Sequence, residues 1–401
     1  MKITNLRIRQ LEGVMDYPGV FWEERLRMPV DIYPEYRAKG PELLAKHPIP
    51  LGDGKYKVIG QFLQIETDEG LKGISGPLFY PSTAFYIDTW LKHLLIGSDP
   101  LKTEYHWDIM YRSNINARAG ECTAAMSMVD IALWDLKGKF LGQPVCNLLG
   151  GPVRDKIPCY ASALCCSIEL DKVAARVKEF LSQGYPGAKF FVRDGPQDGQ
   201  AGIKRNLELI KTIRKEGGAD FKIMLDAWCS WDVPYTMKMA ELMTEYEPEW
   251  FEEPVMPDLR ESLSHLRSNC SVQIAGGEHE FTRWGAKILM DMGALDIYQF
   301  DPVWAGGISE LIKITTLCSL YDVPLIPHGV SMQATAHLAF SQNPVVVPML
   351  EYLLIEQERF QFFCKEKIKP VGGFVYPPIS PGLGMDLDED KIVSEREINF
   401  S

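Results

Sequence analysis

No Cys-x-x-Cys pair occurs anywhere in the 401 residues, and the nine cysteines are irregularly spaced. That argues against a disulfide framework and against the common dithiol motifs. The adjacent Cys165-Cys166 are poorly arranged for a structural bridge, so buried free thiols in a reducing cytoplasm are expected. Apolar runs of about 18 residues are also missing, which excludes a spanning helix. The opening Met1-Lys2-Ile3-Thr4-Asn5-Leu6-Arg7 lacks the apolar core of a secretory signal, in keeping with a cytoplasmic location. Positive charge is scarce: 42 Lys and Arg against 54 Asp and Glu leave a net charge of −12. Nucleic acid or an anionic membrane as the main partner is therefore not expected. A small anionic substrate remains open, because charge at the site decides that. No Gly-x-Gly-x-x-Gly and no Lys-Ser/Thr pattern accompanies Gly306-Gly307, which reads as a tight turn rather than a phosphate cradle. Sequence-identical repeats and low-complexity tracts are absent as well.

What is present is an ordinary globular composition, 46% hydrophobic and 24% charged, in a chain long enough for a barrel and a second domain. Residues 3–12 and 58–75 read as strands, with Asp68-Glu69-Gly70 as a hairpin turn. Between them lies an insert, 13–57, rich in Pro, Tyr and Arg; inserts of that length are usually functional or disordered. Residues 82–148 have helical spacing, closed by Gly150-Gly151-Pro152. From Ile157 the pattern becomes short apolar run, turn, amphipathic stretch, repeated. Strands are expected at 157–163, 187–192, 222–226, 249–252, 272–277, 296–300, 323–327 and 348–352, with helices such as 170–183, 202–216, 234–245, 307–321 and 332–341 between them. That alternation predicts a parallel β/α architecture closed into a barrel.

Three of the apolar runs end in a carboxylate: Asp226, Glu252 and Glu278, each 26 residues from the next. About 25–30 residues is one strand plus one helix of a β/α barrel, so the spacing sets three acids side by side on neighbouring strand ends. They could each cap a helix. Three in register point instead to a shared hard cation such as Mg²⁺, which takes oxygen ligands. The next two runs end in Asp301 and His328. An Asp accepting from one imidazole nitrogen fixes the tautomer and frees the other nitrogen for proton transfer. Glu351 closes the following run, either to bond an oxyanion or a substrate hydroxyl or to cap a helix. Lys189, in the second unit, either stabilises an enediolate or substrate carboxylate or simply pairs with Asp226. Trp228 and His279, beside the proposed ligands, would line the pocket.

At these residues the chain resembles the enolase superfamily, mandelate racemase subgroup. The resemblance is carried by Trp250-Phe251-Glu252-Glu253-Pro254, Gly276-Gly277-Glu278, Gln299-Phe300-Asp301, Ile326-Pro327-His328-Gly329, Asp130-Ile131-Ala132-Leu133-Trp134-Asp135 and Pro381-Gly382-Leu383-Gly384. It covers nearly the whole chain. It implies a modified (β/α)7β TIM-type barrel at 136–370, an α+β capping domain at 1–135, and a segment 371–401 that returns to the cap. Within the subgroup the chain is most similar to L-rhamnonate dehydratases and related acid-sugar dehydratases, including L-lyxonate dehydratase. Here the carrying stretches are Gly195-Pro196-Gln197-Asp198-Gly199-Gln200-Ala201-Gly202-Ile203, Met224-Leu225-Asp226-Ala227-Trp228-Cys229-Ser230 and Gly277-Glu278-His279-Glu280-Phe281-Thr282.

The resemblance implies one Mg²⁺ per subunit on Asp226, Glu252 and Glu278, and a proton-transfer dyad Asp301–His328. It also implies a homo-oligomer built on dimers, up to a tetramer or octamer. Many subgroup members carry a second base two residues after the lysine; here that residue is Phe191. A racemase needs both bases, whereas a syn elimination needs one, so dehydration of a sugar acid is expected. The insert would close over the polyol end with Arg25, Tyr33 and Arg37. The rivals are an epimerase or cycloisomerase on the same scaffold and a silent sugar-acid-binding protein.

Overall fold

The computed structural model describes residues 1–37 and 48–400; the stretch 38–47 of the expected insert lies outside the described residues. Two sheets organise the chain. In the first, β1 (Ile3–Asp16) pairs antiparallel with β3 (Lys55–Thr67), with Ile8 opposite Leu63 and Leu6 opposite Ile65. The expected hairpin is there: β4 (Lys72–Ser75) folds back onto β3. The short β2 (Ile49–Gly52) also pairs with β3, and Ser394–Ile398 returns to pair antiparallel with β1. The insert is shorter than its sequence suggests. Val14, Met15 and Asp16 continue β1 opposite Lys57, Tyr56 and Lys55, because Met15 and Tyr56 are buried and register forces their neighbours to pair.

The second sheet is the barrel. β5 (Ile157–Ser162), β6 (Gly187–Phe191), β7 (Lys222–Asp226), β8 (Trp250–Glu252), β9 (Gln273–Gly276) and β10 (Ile297–Tyr298) run parallel in sequence order. The last strand, β11 (Leu350–Leu353), pairs parallel with β5. Between β10 and β11 the expected strand 323–327 is reduced to one bridge, Tyr298 to Leu325. Pro324 and Pro327 flank that bridge and have no N–H to give the ladder. Helices such as Leu170–Ser182, Gly199–Gly217, Val233–Met243, Gly307–Tyr321 and Met332–Phe340 alternate with the strands. Seven of them separate eight strand positions among the described residues, a (β/α)7β barrel with an antiparallel cap.

Period-2 alternation divides the barrel strands. Tyr160, Met224, Trp250, Ala275, Ile297, Ile326 and Met349 form a separate apolar cluster, the plug inside the barrel. The intervening Ile223, Leu225, Phe251 and Ile274 join the larger core shared with the helices.

Cap and barrel meet through the helix Glu121–Leu141, which supplies both acids of the Asp130–Asp135 motif. Asp135 accepts from Ile74 N of β4 at 2.9 Å and from Leu383 N at 2.8 Å. Asp130 accepts from Ser309 N at 2.9 Å and Ser309 Oγ at 2.6 Å, at the start of Gly307–Tyr321. Gly306 and Gly307, both at positive φ, allow this approach: a Cβ on Gly307 would lie 2.4 Å from Asp130 Oδ2. Gly307→Ala therefore combines a left-handed backbone penalty of roughly 1–2 kcal/mol with displacement of Asp130. It should destabilise by about 2 kcal/mol or more, read by urea denaturation.

Burial pushes the Asp130 carboxyl up to about 7, against the lowering influence of its Ser309 bonds. A carboxyl whose folded pKa is raised favours folding below its unfolded value and loses that contribution as pH rises through the folded value. The stability of Asp130→Asn relative to wild type should improve between pH 3.8 and about 7 and level off above, measured as denaturation midpoints across pH.

Candidate active site

The plug explains where the polar side chains stand. Asp226, Glu252, His328 and Glu351 each lie two residues beyond a plug residue: Met224, Trp250, Ile326 and Met349. Parity aims them inward at the carboxyl ends of the strands, where barrel enzymes do chemistry. Asp301 follows the same rhythm through Ile297 and Gln299. Glu278 is off parity, three residues beyond Ala275; Gly277, at φ 101°, re-aims the chain to bring it in.

Lys189 is fully buried and reaches three carboxylates. Its Nζ bonds Glu252, lies 2.7 Å from Glu351 Oε1 and 3.6 Å from Asp226 Oδ2. Burial alone would lower its pKa, but the charges of Glu252 and Glu351 hold it well above the usual lysine value. Asp226 accepts from Trp228 N at 2.9 Å; burial and the charge of Glu252 push its carboxyl far up. Glu252 Oε2 accepts from Gln299 Nε2 at 2.7 Å and Trp250 Nε1 at 3.2 Å. The carboxyl of Glu278 is raised to about 7 by burial, against the pull of His328.

Asp301 and His328 are brought together. His328 Nδ1 lies 2.9 Å from Asp301 Oδ2, and Asp301 Oδ1 accepts from Val303 N at 2.6 Å. The other ring nitrogen, Nε2, points to Glu278 Oε2 at 3.4 Å. Burial disfavours the imidazolium, yet Glu278 and the Asp301 bond raise its pKa to about 10. Glu351 Oε2 accepts from Gly329 N at 3.1 Å; burial opposes its ionisation, but Lys189 and His328 hold the carboxyl below its usual value. Trp228 and His279 adjoin the site, their rings 6.2 Å apart.

Several participants were not anticipated. Gln299 braces Glu252; its inward parity in the strand is the signal that could have found it. Trp304 stacks with both His328, 5.1 Å away, and His279, 5.7 Å away; no sequence spacing announces that. From the cap, Phe79 packs on Trp304 at 5.6 Å. The insert residues are engaged elsewhere. Arg25 pairs with Asp31 at 2.8 Å, Arg37 bonds Asp198, and Tyr33 is exposed beside Tyr36. Arg27, which the sequence did not single out, is the buried anchor. It donates to Asp198 at 2.7 Å and Gln197 at 2.6 Å, clamping the insert onto the loop after β6.

Lys189 is the only buried ammonium among these acids. Lys189→Met leaves them without their counter-charge and should cost about 3–5 kcal/mol, measured by chemical denaturation in chelator-treated protein.

Comparison with known proteins agrees with this architecture. Residues 172–391 match the enolase C-terminal domain-like family, and residues 55–150 match the mandelate racemase / muconate lactonizing enzyme N-terminal domain. An L-rhamnonate dehydratase of Saccharopolyspora erythraea is 31% identical over 405 residues, 97% of either chain. Rhamnonate dehydratase from Gibberella zeae, crystallised with Mg, superposes with a TM-score of 0.83 at 27% identity, covering 98% of this chain and 96% of that one. The 3,6-anhydro-D-galactonate cycloisomerase of Zobellia galactanivorans gives 0.78 at 29%, covering 98% of each. With both domains matched and the relationship spanning the whole length, this chain belongs to the enolase superfamily, in its mandelate racemase/muconate lactonizing branch.

Proposed function

We propose that the protein is a hydro-lyase that dehydrates a sugar acid, an L-rhamnonate-like aldonate, to the 2-keto-3-deoxy acid. The observation that carries this reading is a single inward base: the Asp301-held imidazole of His328 stands in the site while the corresponding position on β6 is the buried Phe191. The oxygen-only donor set Asp226, Glu252 and Glu278 suits a hard divalent cation. All three are buried, and burial lifts Asp226 and Glu278 above ordinary carboxyl values, so the cluster has charge to spare for a cation. We assign one Mg²⁺ to these residues. When bound it would polarise a substrate carboxylate and stabilise the charge that develops on it.

The protein residues do the rest. Glu278 is the strongest influence raising the His328 pKa, so a cation held by Glu278 would offset it and let the ring stand neutral. With Nδ1 engaged by Asp301, Nε2 would then be free to take the proton from C2. The imidazolium so formed can hand that proton to the departing 3-hydroxyl on the same face, releasing water and leaving the 2,3-enol. That enol becomes the 2-keto acid by losing its 2-hydroxyl proton and gaining a solvent proton at C3. Lys189 places a fixed positive charge where the enediolate forms, and Glu351, bonded to Lys189 and Gly329, orients it. Phe191 offers no proton on the opposite face. Trp228 and His279, whose rings lie 6.2 Å apart beside the acids, would wall the pocket. Arg25, Tyr33 and Arg37 would have to exchange their present partners to touch a polyol.

The test is a screen of five- and six-carbon aldonic and aldaric acids with Mg²⁺, scored for 2-keto acid. His328→Asn should lower kcat by about 10²–10⁴-fold with the fold intact; turnover within tenfold of wild type would overturn the assignment. Likeness to the Zobellia cycloisomerase favours a second reading, isomerisation without loss of water. Solvent deuterium entering C2 with no keto product would support that reading and sink dehydration.

A further inference from the structure

Beside the carboxylate site lies a second cluster of different chemistry. One atom each of Cys229, Glu253 and His279 lies within 4.8 Å of the other two, the only such group among the described residues. Cys229 Sγ donates to Glu253 Oε2 at 3.4 Å, and His279 Nδ1 lies 2.8 Å from the same oxygen. The cluster is made by the neighbours of the proposed Mg²⁺ ligands. Glu252 turns to Lys189 and Gln299 while Glu253 turns the other way. Glu278 Oε2 faces His328, while His279 Nδ1 lies 2.8 Å from Glu253 and 3.6 Å from Glu278 Oε1, so the two clusters adjoin at Glu278. After β7 the chain takes positive φ at Trp228 (39°) and Cys229 (58°), and Glu253 has φ 41°. Cys229 N then donates to Glu253 O at 2.6 Å, which locks the two side chains together. Non-glycine residues at positive φ are uncommon and costly, so this backbone is held in place by its surroundings.

One sulfur, one imidazole nitrogen and one carboxylate oxygen form a borderline-soft donor set. It suits Zn²⁺ with an open fourth position and discriminates against Mg²⁺, which prefers oxygen and octahedral geometry. Ligand atoms around one tetrahedral ion with bonds of about 2.0–2.3 Å lie about 3.3–3.7 Å apart; the S···O separation of 3.4 Å matches that, and the N···O separation of 2.8 Å, a hydrogen bond in the metal-free site, has to open by about half an ångström. Cys229 and Glu253 are buried, and His279 is partly exposed, which gives an entry path. Charge also permits a second cation. Of the six buried carboxylates Asp226, Glu252, Glu253, Glu278, Asp301 and Glu351, the buried ammonium of Lys189 reaches three, and among the described residues Glu253 has only His279 as a cationic partner.

We propose that Cys229, Glu253 and His279 form a second metal site, distinct from the three-carboxylate site, that takes a thiophilic divalent cation of the Zn²⁺ class. Binding replaces the Cys229 thiol proton and the His279 Nδ1 proton, both released to solvent, and leaves Nε2–H on the ring. Glu253 supplies an oxygen without a change of protonation.

The test needs no substrate, so its outcome is separate from that of the dehydratase reading. Metal-free full-length protein in saturating Mg²⁺ is titrated with Co²⁺. A thiolate-to-cobalt charge-transfer band with tetrahedral visible bands is expected, saturating at one ion per chain and bleached by Zn²⁺. Cys229→Ser should remove the charge-transfer band. His279→Gln should weaken Co²⁺ binding by more than about 100-fold, beyond what loss of an outer-shell contact produces, with folding checked by circular dichroism. Absence of the band in wild type, or its survival in Cys229→Ser, would overturn the proposal.

Discussion

Lys189 touches three carboxylates in a site that excludes bulk water, and electrostatic interactions there are several times stronger than at the surface. One ammonium cannot balance that many acids. The deficit is visible at Asp226 and Glu278, whose carboxyls burial lifts well above their ordinary range, and at His328, drawn up to about 10 by Glu278 and Asp301. The fold tolerates this because the rest of the barrel interior is apolar and each acid has donors to lean on: Trp228 N on Asp226, Gln299 and Trp250 on Glu252, Gly329 N on Glu351. An acid cluster so braced cannot relax by moving apart, so it is poised to accept positive charge, whether a cation or a proton taken from a substrate.

The strand rhythm is why most of this was legible from the sequence. In a barrel strand the period is two, and a carboxylate two residues past a buried plug residue must face the axis. Asp226, Glu252, His328 and Glu351 follow that rule, and the even spacing of Asp226, Glu252 and Glu278 exposed the repeat. Glu278 satisfies the spacing but not the parity, and it takes Gly277 to bring it in. The strand expected at 323–327 shows the opposite limit. Its apolar content predicted a strand, yet two prolines deprive it of donors and leave a single bridge. Backbone bonds from Ile326 N to Tyr298 O at 2.8 Å and from His328 N to Gln299 O at 3.4 Å still tie the segment to the preceding strand, and Asp301 and the stacked Trp304 hold the His328 ring.

What the sequence hid are contacts between segments far apart in the chain. Nothing in Arg27 distinguishes it from Arg25 or Arg37 by position. In the fold it is the buried one, bonded to Asp198 and Gln197, while Arg25 turns to Asp31 and Arg37 remains partly exposed. Which arginine is the anchor depends on how the insert descends onto the loop after β6, and that is settled by tertiary packing. Asp130 is similar: its helical run was clear, but its partner, the start of Gly307–Tyr321, is fixed only when two glycines let the helices approach.

The stack around Trp304 joins cap to chemistry. His328 and His279 both stack with it, each hydrogen-bonded to its own acid, Asp301 and Glu253, and Phe79 from the cap packs against it. The two imidazoles are thus fixed at ring positions and at one nitrogen each, and differ in what the remaining nitrogen meets. His328 Nε2 points to Glu278 inside the acid cluster, while His279 is the more exposed of the two. Proton transfer asks for the first environment, enclosed and close to compensating charge. The second, next to a thiol and open on one side, is better suited to binding. A single indole therefore couples two histidines of like construction but different surroundings, and Phe79 ties the cap to that stack.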